Sequence, residues 1–244
     1  MKILYIFAHP DDESFGPAPA MSKQRRQGHE VYLVTLTRGG ATRQRFKYGY
    51  SIEQMGQVRR EEMKDVARVL DLSGMTVLDL PDSGLKEMDP RDIEQVVAEQ
   101  IRRIQPDVMV TDAVHGISGF ADHLVTHAVV KRVYVALREE APYLKRLAFH
   151  TITEDQAKRS EFFHLTGSKP EDIDCVFAVD EIDMAKRNRA LDSYVTYQET
   201  IEQSGIRDLA EPQSGFEIYQ EEHDPPLGDL FEGLGAPSQV NRQS

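Results

Sequence analysis

The chain has 244 residues, of which 40% are hydrophobic and 29% charged, and its formal net charge is −12 at pH 7. A chain of this length and composition buries a sizeable core, whereas its acidic balance disfavours nucleic acid as a partner. The lone cysteine, Cys175, excludes an intrachain disulfide and a multi-cysteine zinc site. No run approaches the ~20 apolar residues of a membrane span, so none is predicted.

Short apolar segments alternate along the chain with segments of helical periodicity. In chain order the predicted elements are strand Ile3–Phe7, helix Pro17–Gln27, strand Val31–Leu36, helix Ile52–Leu70, strand Thr76–Leu80, helix Asp89–Gln105, strand Val108–Thr111, helix Asp122–Glu139, strands Leu147–Ile152 and Cys175–Val179, and helix Ile182–Glu202. This alternation predicts an α/β fold, Rossmann-like and doubly wound, with a mainly parallel sheet and helices on both of its faces.

The two ends of the chain differ in character. The first residues predict a buried strand rather than a signal peptide, which together with the lone cysteine favours a cytoplasmic location. We predict one domain over residues 1–203. Residues 204–244 are rich in turn-forming residues and predict a C-terminal extension, partly irregular, that packs on the domain or on a neighbouring subunit.

A cluster of metal-ligand residue types follows the first predicted strand, in the segment Ala8–Glu13, which reads AHPDDE. Doubly wound sheets bind ligands at the carboxyl ends of their strands, where this segment lies in the predicted fold. His9 and Asp12 suit Zn²⁺, and the adjacent Asp11 is placed to take a proton from a bound water. The alternative is an ordinary turn or helix cap, which is the commoner role of two aspartates after a strand.

A further ligand is expected from the end of another strand. The predicted strand Val108–Thr111 is followed by a loop and then by Asp122, His123 and His127. Asp122 is predicted to cap the next helix, and the two histidines, four residues apart, share one face of that helix. Either histidine could reach a metal at the sheet edge, and both could equally belong to a solvated helix start.

These segments resemble a known family. Ala8–Glu13, the glycine-rich Gly116–Gly119 and the pair Asp122-His123 are similar to motifs of the LmbE-like, or PIG-L, deacetylases. That family comprises zinc-dependent enzymes that deacetylate N-acetylglucosamine and its conjugates. The resemblance extends over most of residues 2–200 in the order of the elements.

The resemblance implies a role for each matching residue. The implied zinc ligands are His9, Asp12 and His123, and Fe²⁺ would suit the same set. Asp11 matches the general base, and Asp122 matches the acid that orients the neighbouring histidine.

The resemblance also implies how substrate is bound. Arg59 matches a substrate-binding arginine, and Arg38 belongs to a Thr-Arg-Gly string that follows the second strand in the family. Glu13, which ends the first motif, is assigned to substrate binding with them. The implied substrate is a small-molecule N-acetyl sugar or sugar conjugate, and the implied assembly is a homotrimer or homohexamer.

One position departs from the family's pattern. The family has Gly-His-Pro-Asp-His before the last ligand, whereas this chain has Phe120 in place of the first histidine. That histidine stabilises the oxyanion or protonates the leaving amine, and loss of one such group lowers turnover ~10²–10³-fold. Three explanations stay open: His115 or His127 fills the role, Asp11 acts as both base and acid, or the protein turns over slowly or has been repurposed.

The loop of residues 37–50 carries four basic residues, no acidic residue and several aromatic residues. It predicts either a lid that meets a sugar face and an anionic group, or a solvated loop with aromatic residues packed beneath it.

The sequence therefore predicts removal of an acetyl group from an N-acetylated sugar. Hydrolysis of the amide of a sugar-thiol conjugate is the alternative reaction, and a metal-binding relative with little turnover is the alternative class. A nucleotide-binding Rossmann protein is disfavoured because no G-x-G-x-x-G string follows the first strand.

Overall fold

The first strand, β1 (Lys2–Phe7), lies at the centre of a sheet, and nearly all of its side chains are buried. Ile3, Tyr5 and Phe7 pack into the core on one face of the sheet, and Leu4 and Ile6 pack into the core on the other face. A continuous apolar run is what a strand covered on both faces requires. The structure is a computed structural model, and it describes residues 1–235.

The sheet is mixed and mostly parallel. Its further strands are β2 (Glu30–Thr37), β3 (Gly74–Leu80), β4 (Val108–Asp112), β5 (Arg146–Thr151), β6 (Cys175–Ala178) and β7 (Gln213–Ile218). Within residues 1–235 the order of these seven strands is β3-β2-β1-β4-β5-β7-β6. The first five in space pair in parallel, and β7 is antiparallel to both of its neighbours. The predicted doubly wound α/β architecture is confirmed.

Helices cover both faces of the sheet. They are α1 (Asp12–Phe15), α2 (Ala18–Arg26), α3 (Ile52–Leu70), α4 (Pro90–Ile104), α5 (Ala121–Leu137), α6 (Glu154–Lys158), α7 (Glu181–Ser193), α8 (Gln198–Ser204) and α9 (Ile206–Leu209). Helices α2, α3 and α7 pack against one face, and α4 and α5 pack against the other. No helix of the described part of the chain is both long enough and apolar enough to cross a membrane.

One prediction for the second half of the chain is wrong. The predicted helix Ile182–Glu202 is interrupted, because the chain leaves the helical conformation at Tyr194. The side chain of Tyr194 is buried, and its hydroxyl accepts a hydrogen bond from the backbone N–H of Asp11. The segment after residue 203, predicted to be partly irregular, contributes strand β7 at residues 213–218, and its residues 236–244 lie outside the described part of the chain. The alternating burial of β7 places Phe216 and Ile218 in the core.

Candidate metal centre and active site

The carboxyl ends of the parallel strands meet at one edge of the sheet, and a group of polar side chains follows them. These residues are His9, Asp11 and Asp12 after β1, Asp82 after β3, Asp112 at the end of β4 and His150 near the end of β5. The strand order reverses between β1 and β4, and such a reversal leaves the crevice in which doubly wound proteins bind ligands. The predicted position of the AHPDDE segment at this edge agrees with the structure.

Three side chains direct nitrogen and oxygen atoms toward one point. Nδ1 of His9 lies 3.3 Å from Nε2 of His123 and 3.7 Å from Oδ2 of Asp12. Nε2 of His123 lies 3.3 Å from Oδ1 of Asp12. Tetrahedral ligands at the usual Zn–N distance are about 3.3 Å apart, so the three residues fit a zinc ion with a fourth position left for water or substrate. The structure thus brings together the three ligands that the resemblance implied.

The other ring nitrogen of His9 faces two carboxylates. Nε2 lies 3.2 Å from Oδ2 of Asp122 and 3.2 Å from Oδ1 of Asp82. The Asp122 carboxylate also accepts hydrogen bonds from the backbone N–H groups of Ser83 (2.7 Å) and Leu85 (3.2 Å). Partners of this kind fix the ring orientation of a metal-ligating histidine.

Nδ1 of His123 donates a hydrogen bond to the carbonyl oxygen of Gly116 at 3.1 Å, and the carboxylate beside this nitrogen is that of Asp112, not that of its sequence neighbour Asp122. Oδ2 of Asp112 lies 3.3 Å from Nδ1 of His123. The possibility that Asp122 caps the helix is not realised, and its role as an acid that orients a histidine stays a prediction, with His9 as the histidine that it contacts. The Asp122 side chain is turned toward His9, and α5 begins without a side-chain cap.

The carboxylates around the two histidines favour positive charge. Burial works against protonation of His9, but Asp122 and Asp82 outweigh it and raise the pKa of His9 to about 10. Burial is also outweighed at His123, where Asp12 has the largest effect and the pKa rises to about 9. An environment that stabilises an imidazolium in this way also stabilises a bound metal cation.

Asp11 lines the cavity beside these donors in a strained backbone conformation, with φ 92° and ψ −25°. Such a conformation costs a residue other than glycine about 1–3 kcal/mol. The backbone N–H of Asp11 donates to Oη of Tyr194 at 2.8 Å, and that hydroxyl donates to Oε1 of Glu13 at 2.7 Å. Burial raises the pKa of Asp11 to about 7, although the charge of Arg59 acts in the opposite direction.

Arg59 reaches the cavity wall, but its described hydrogen bonds are made to the protein. Nη2 donates to Oδ2 of Asp11 at 2.7 Å and to the carbonyl of Pro10 at 2.6 Å, and Nη1 donates to the carbonyl of Gly39 at 2.9 Å. Gly39 has φ +65°, and a Cβ atom there would overlap Nη1. A glycine is therefore required where the loop after β2 meets this guanidinium. Substrate binding by Arg59 stays a prediction.

Two other residues assigned to substrate binding lie away from the cavity wall. The Glu13 carboxylate is buried and accepts the hydrogen bond from Tyr194. Arg38 forms ion pairs with Glu53 at 2.9 Å and with Asp79 at 3.0 Å. Both side chains are engaged in the protein's own polar contacts, and their role in substrate binding stays a prediction.

Neither histidine suggested as a replacement for the missing one reaches the cavity. Nε2 of His115 lies 3.3 Å from Oγ of Ser168, and its Nδ1 accepts a hydrogen bond from the backbone of Ile117 at 3.1 Å. His127 is buried, with Nδ1 2.8 Å from the carbonyl oxygen of Asp112. Both rings contact polar groups of the protein itself, and the replacement of the missing histidine by either one stays a prediction.

A cavity of about 550 Å³ opens beside the ligand cluster. Phe120 forms part of its wall, and its ring meets that of His123 edge-on with the ring centroids 5.8 Å apart. The other side of Phe120 contacts Phe163 in the same edge-on manner. The family's histidine is thus replaced by an apolar wall above the ligand cluster.

Sequence reasoning overlooked a histidine that does line the cavity, His150. It pairs in register with Asp112 across β4 and β5, so the two side chains lie on the same face of the sheet. Burial lowers the pKa of His150 to about 3, so its ring is neutral at physiological pH. A neutral imidazole can donate an N–H group without carrying charge.

The basic loop makes limited contact with the cavity. Arg43 lines the cavity, whereas Lys47 forms an ion pair with Glu199 at 3.0 Å. The guanidinium of Arg45 stacks on the ring of Phe46. The lid interpretation stays a prediction, with Arg43 as its supporting residue.

Comparison with known proteins accounts for this geometry. The sequence model of PIG-L, described as GlcNAc-PI de-N-acetylase, matches residues 4–134. That segment is more than half of the chain and contains His9, Asp11, Asp12 and His123. The chain belongs to the PIG-L family.

Two curated relatives of the chain are named as an amidase and a deacetylase. A mycothiol S-conjugate amidase from Streptomyces coelicolor is 29% identical over 161 residues, covering 59% of this chain and 55% of the relative. A 1D-myo-inositol 2-acetamido-2-deoxy-α-D-glucopyranoside deacetylase from Thermomonospora curvata is 30% identical over 152 residues, covering 54% and 51% respectively. The chain thus matches about half the length of these curated relatives.

Solved structures share the fold of this PIG-L protein at low sequence identity. The N,N'-diacetylchitobiose deacetylase from Pyrococcus horikoshii superposes with a TM-score of 0.64 at 17% identity, covering 89% of this chain and 83% of the other. The 4-carboxy-2-hydroxymuconate hydratase from Pseudomonas putida has a TM-score of 0.63 at 14% identity, covering 91% and 97%. Because these two proteins catalyse different reactions, the fold alone does not determine the chemistry.

Proposed function

We propose that this protein hydrolyses the acetamide of an N-acetylglucosamine conjugate and releases acetate. The observation that carries the proposal is the convergence of donor atoms from His9, Asp12 and His123, spaced 3.3–3.7 Å apart, at the mouth of a cavity that Asp11 also lines. The matching family model is described as a GlcNAc-PI de-N-acetylase, and the Thermomonospora relative is named as a deacetylase of a 2-acetamido-2-deoxy-glucopyranoside, which supports this substrate class.

A metal ion would be held by His9, Asp12 and His123, with zinc as the proposed ion and Fe²⁺ as the alternative. Such an ion supplies Lewis acidity, which makes a water molecule acidic enough to ionise near pH 7 and draws charge toward an acetamide oxygen.

Asp11 is the proposed general base and acid. Its carboxylate takes a proton from the attacking water as the bond from oxygen to the acetamide carbon forms. The same proton then passes to the amide nitrogen as the C–N bond breaks, which yields a free amine and acetic acid, and the acid loses its remaining proton to solvent and leaves as acetate. Arg59 and Tyr194 fix the position of Asp11 through the hydrogen bonds described above, so that both transfers use one preorganised carboxylate.

A second candidate reaction is cleavage of the amide in a sugar-thiol conjugate. It is favoured by the similarity to the Streptomyces amidase and by the apolar wall at Phe120. A wall of this kind suits an acyl group larger than acetyl. Location in the cytoplasm and assembly into a trimer or hexamer stay predictions.

The proposal is tested with purified protein stripped of metal and reloaded with Zn²⁺ or Fe²⁺. Acetate release from N-acetylglucosaminyl conjugates should fall at least about a hundredfold on chelation and return with metal. His123→Ala should lose metal and activity together, whereas His115→Ala should retain both. A protein that binds one metal ion but cleaves only a larger acyl amide would favour the second candidate. A protein that binds none would overturn the proposal.

A further inference from the structure

A buried arginine on α7 lies in the wall of the same cavity, outside the segment that matches the family. Arg187 is 2% exposed. Its Nε donates to the carbonyl of Ser14 at 3.1 Å, and its Nη2 donates to the carbonyl of Ile206 at 2.9 Å. Its Nη1 has no hydrogen-bond partner among residues 1–235. Two nitrogen atoms of the guanidinium thus hydrogen-bond to backbone carbonyls, and the third forms no hydrogen bond within the described residues.

The charge of Arg187 is uncompensated within the described chain. No carboxylate of residues 1–235 lies within ion-pair distance of it, whereas the other deeply buried arginines, Arg59 and Arg146, pair with Asp11 and Glu221 at 2.7 Å each. Burial of the guanidinium, followed by the nearby charge of Arg207, lowers the pKa of Arg187 to about 10, so it remains a cation at neutral pH. Buried charges are normally paired, so a lone one facing a cavity suits an anion supplied by a ligand.

The acidic group in this part of the wall is already neutralised. Glu211 lines the cavity, but its carboxylate forms an ion pair with Arg159 at 2.9 Å. The small or apolar residues Gly16, Pro19 and Ile206 also line the cavity, and the carbonyl of Ile206 is in direct contact with Arg187. The cavity volume is within the ~300–1,000 Å³ that holds ligands larger than a single sugar.

We propose that Arg187 binds an anionic group, a carboxylate or a phosphate, carried by the part of the substrate beyond the acetamido sugar. This inference rests on the proposed function for the orientation of the substrate. It narrows the substrate class from N-acetylglucosamine conjugates in general to those with an acidic aglycone.

The test measures binding rather than turnover. Dissociation constants are determined calorimetrically with the metal-loaded protein carrying Asp11→Asn, which prevents hydrolysis. The probes are three α-glycosides of N-acetylglucosamine: the malate glycoside, the 1-phosphate and the neutral methyl glycoside. At least one anionic probe should bind at least about tenfold more tightly than the methyl glycoside, because the neutral methyl group cannot form the charge-assisted hydrogen bond with Arg187. The tighter probe tells carboxylate from phosphate.

Adding Arg187→Gln should bring the ratio of anionic to neutral affinity close to one. The matched control is Arg189→Gln, two residues along the same helix and exposed, which should keep the ratio. If the glutamine variant fails to fold, the Arg187→Lys variant is measured instead. Its ratio of anionic to neutral affinity should fall at least about threefold, because an ammonium group cannot reproduce the guanidinium geometry. A ratio near one in the parent protein, or an unchanged ratio in the variant that folds, overturns the proposal. If the metal-loaded parent protein releases no acetate but keeps its preference for the anionic probe, the proposed deacetylation is overturned and the anion-binding role of Arg187 is retained.

Discussion

Nη2 of Arg59 donates a hydrogen bond to the carboxylate of Asp11 at 2.7 Å, and both residues line the cavity. The arginine that the family resemblance assigns to substrate is thus bound to the proposed base. Its other hydrogen bonds go to backbone carbonyls on either side of the sheet edge, at Pro10 and Gly39. This arrangement makes Arg59 a positioning residue for Asp11.

Asp11→Asn should reduce kcat ~10²–10⁴-fold, the usual contribution of a general base, while leaving metal content unchanged. Asparagine tolerates the left-handed backbone conformation of residue 11, so the fold should be retained. Acetate release and elemental analysis of the same sample check this. Turnover at the parent rate would show that another group takes the proton.

Arg59→Lys should lower kcat more than it raises KM. A lysine cannot hold Asp11 and two backbone carbonyls at once, and a misplaced base slows the chemical step. Steady-state kinetics with a single conjugate separates the two constants. A large rise in KM at constant kcat would instead support the substrate-binding role that the resemblance implied.

Gly39→Ala and Gly49→Ala form a matched pair. The two glycines have φ +65° and +66°, but an added Cβ would overlap Arg59 at Gly39 and meet open space at Gly49. Gly49→Ala should therefore cost about 1–2 kcal/mol of backbone strain with normal activity. Gly39→Ala should be more destabilising and should also lower kcat. Urea denaturation and acetate release measure the two effects, and equal behaviour of the pair would contradict the packing argument.

His150→Ala should lower kcat ~10–100-fold if its neutral ring donates to the acetamide oxygen in place of the family's missing histidine. Its low pKa keeps the ring uncharged throughout the working range, so the loss should not depend on pH between about 5 and 8. His115→Ala is the control, because that side chain is bonded to Ser168 outside the cavity. Equal rates for both variants would remove His150 from the mechanism and leave Asp11 as the acid.

The sequence carried enough information for the fold and for half of the site. Buried apolar strands alternating with helices predicted the doubly wound sheet, and the AHPDDE segment with Asp122-His123 predicted the ligand cluster. The periodicity of these local patterns does not depend on distant parts of the chain.

The remaining site residues depend on which strands are neighbours. His9 and Asp12 meet His123 because β1 lies beside β4, the strand that precedes α5. His150 is placed beside Asp112 only by the pairing of β5 with β4. Tyr194 was expected inside a helix, and its hydrogen bond to Asp11 spans the length of the domain in sequence. The side-chain directions of Glu13, Arg38 and His115 likewise follow from tertiary contacts that periodicity does not encode.

The position of β7 between β5 and β6 affects how the protein is made. Five strands, from β3 to β5 in space, can pair as soon as the first 151 residues have left the ribosome, and the ligand cluster can assemble with them. Strand β6 emerges next but pairs with β7, which follows it in the chain. The nascent chain can therefore assemble the ligand cluster before β7 is made, and the part of the sheet formed by β6 and β7 is completed only afterwards.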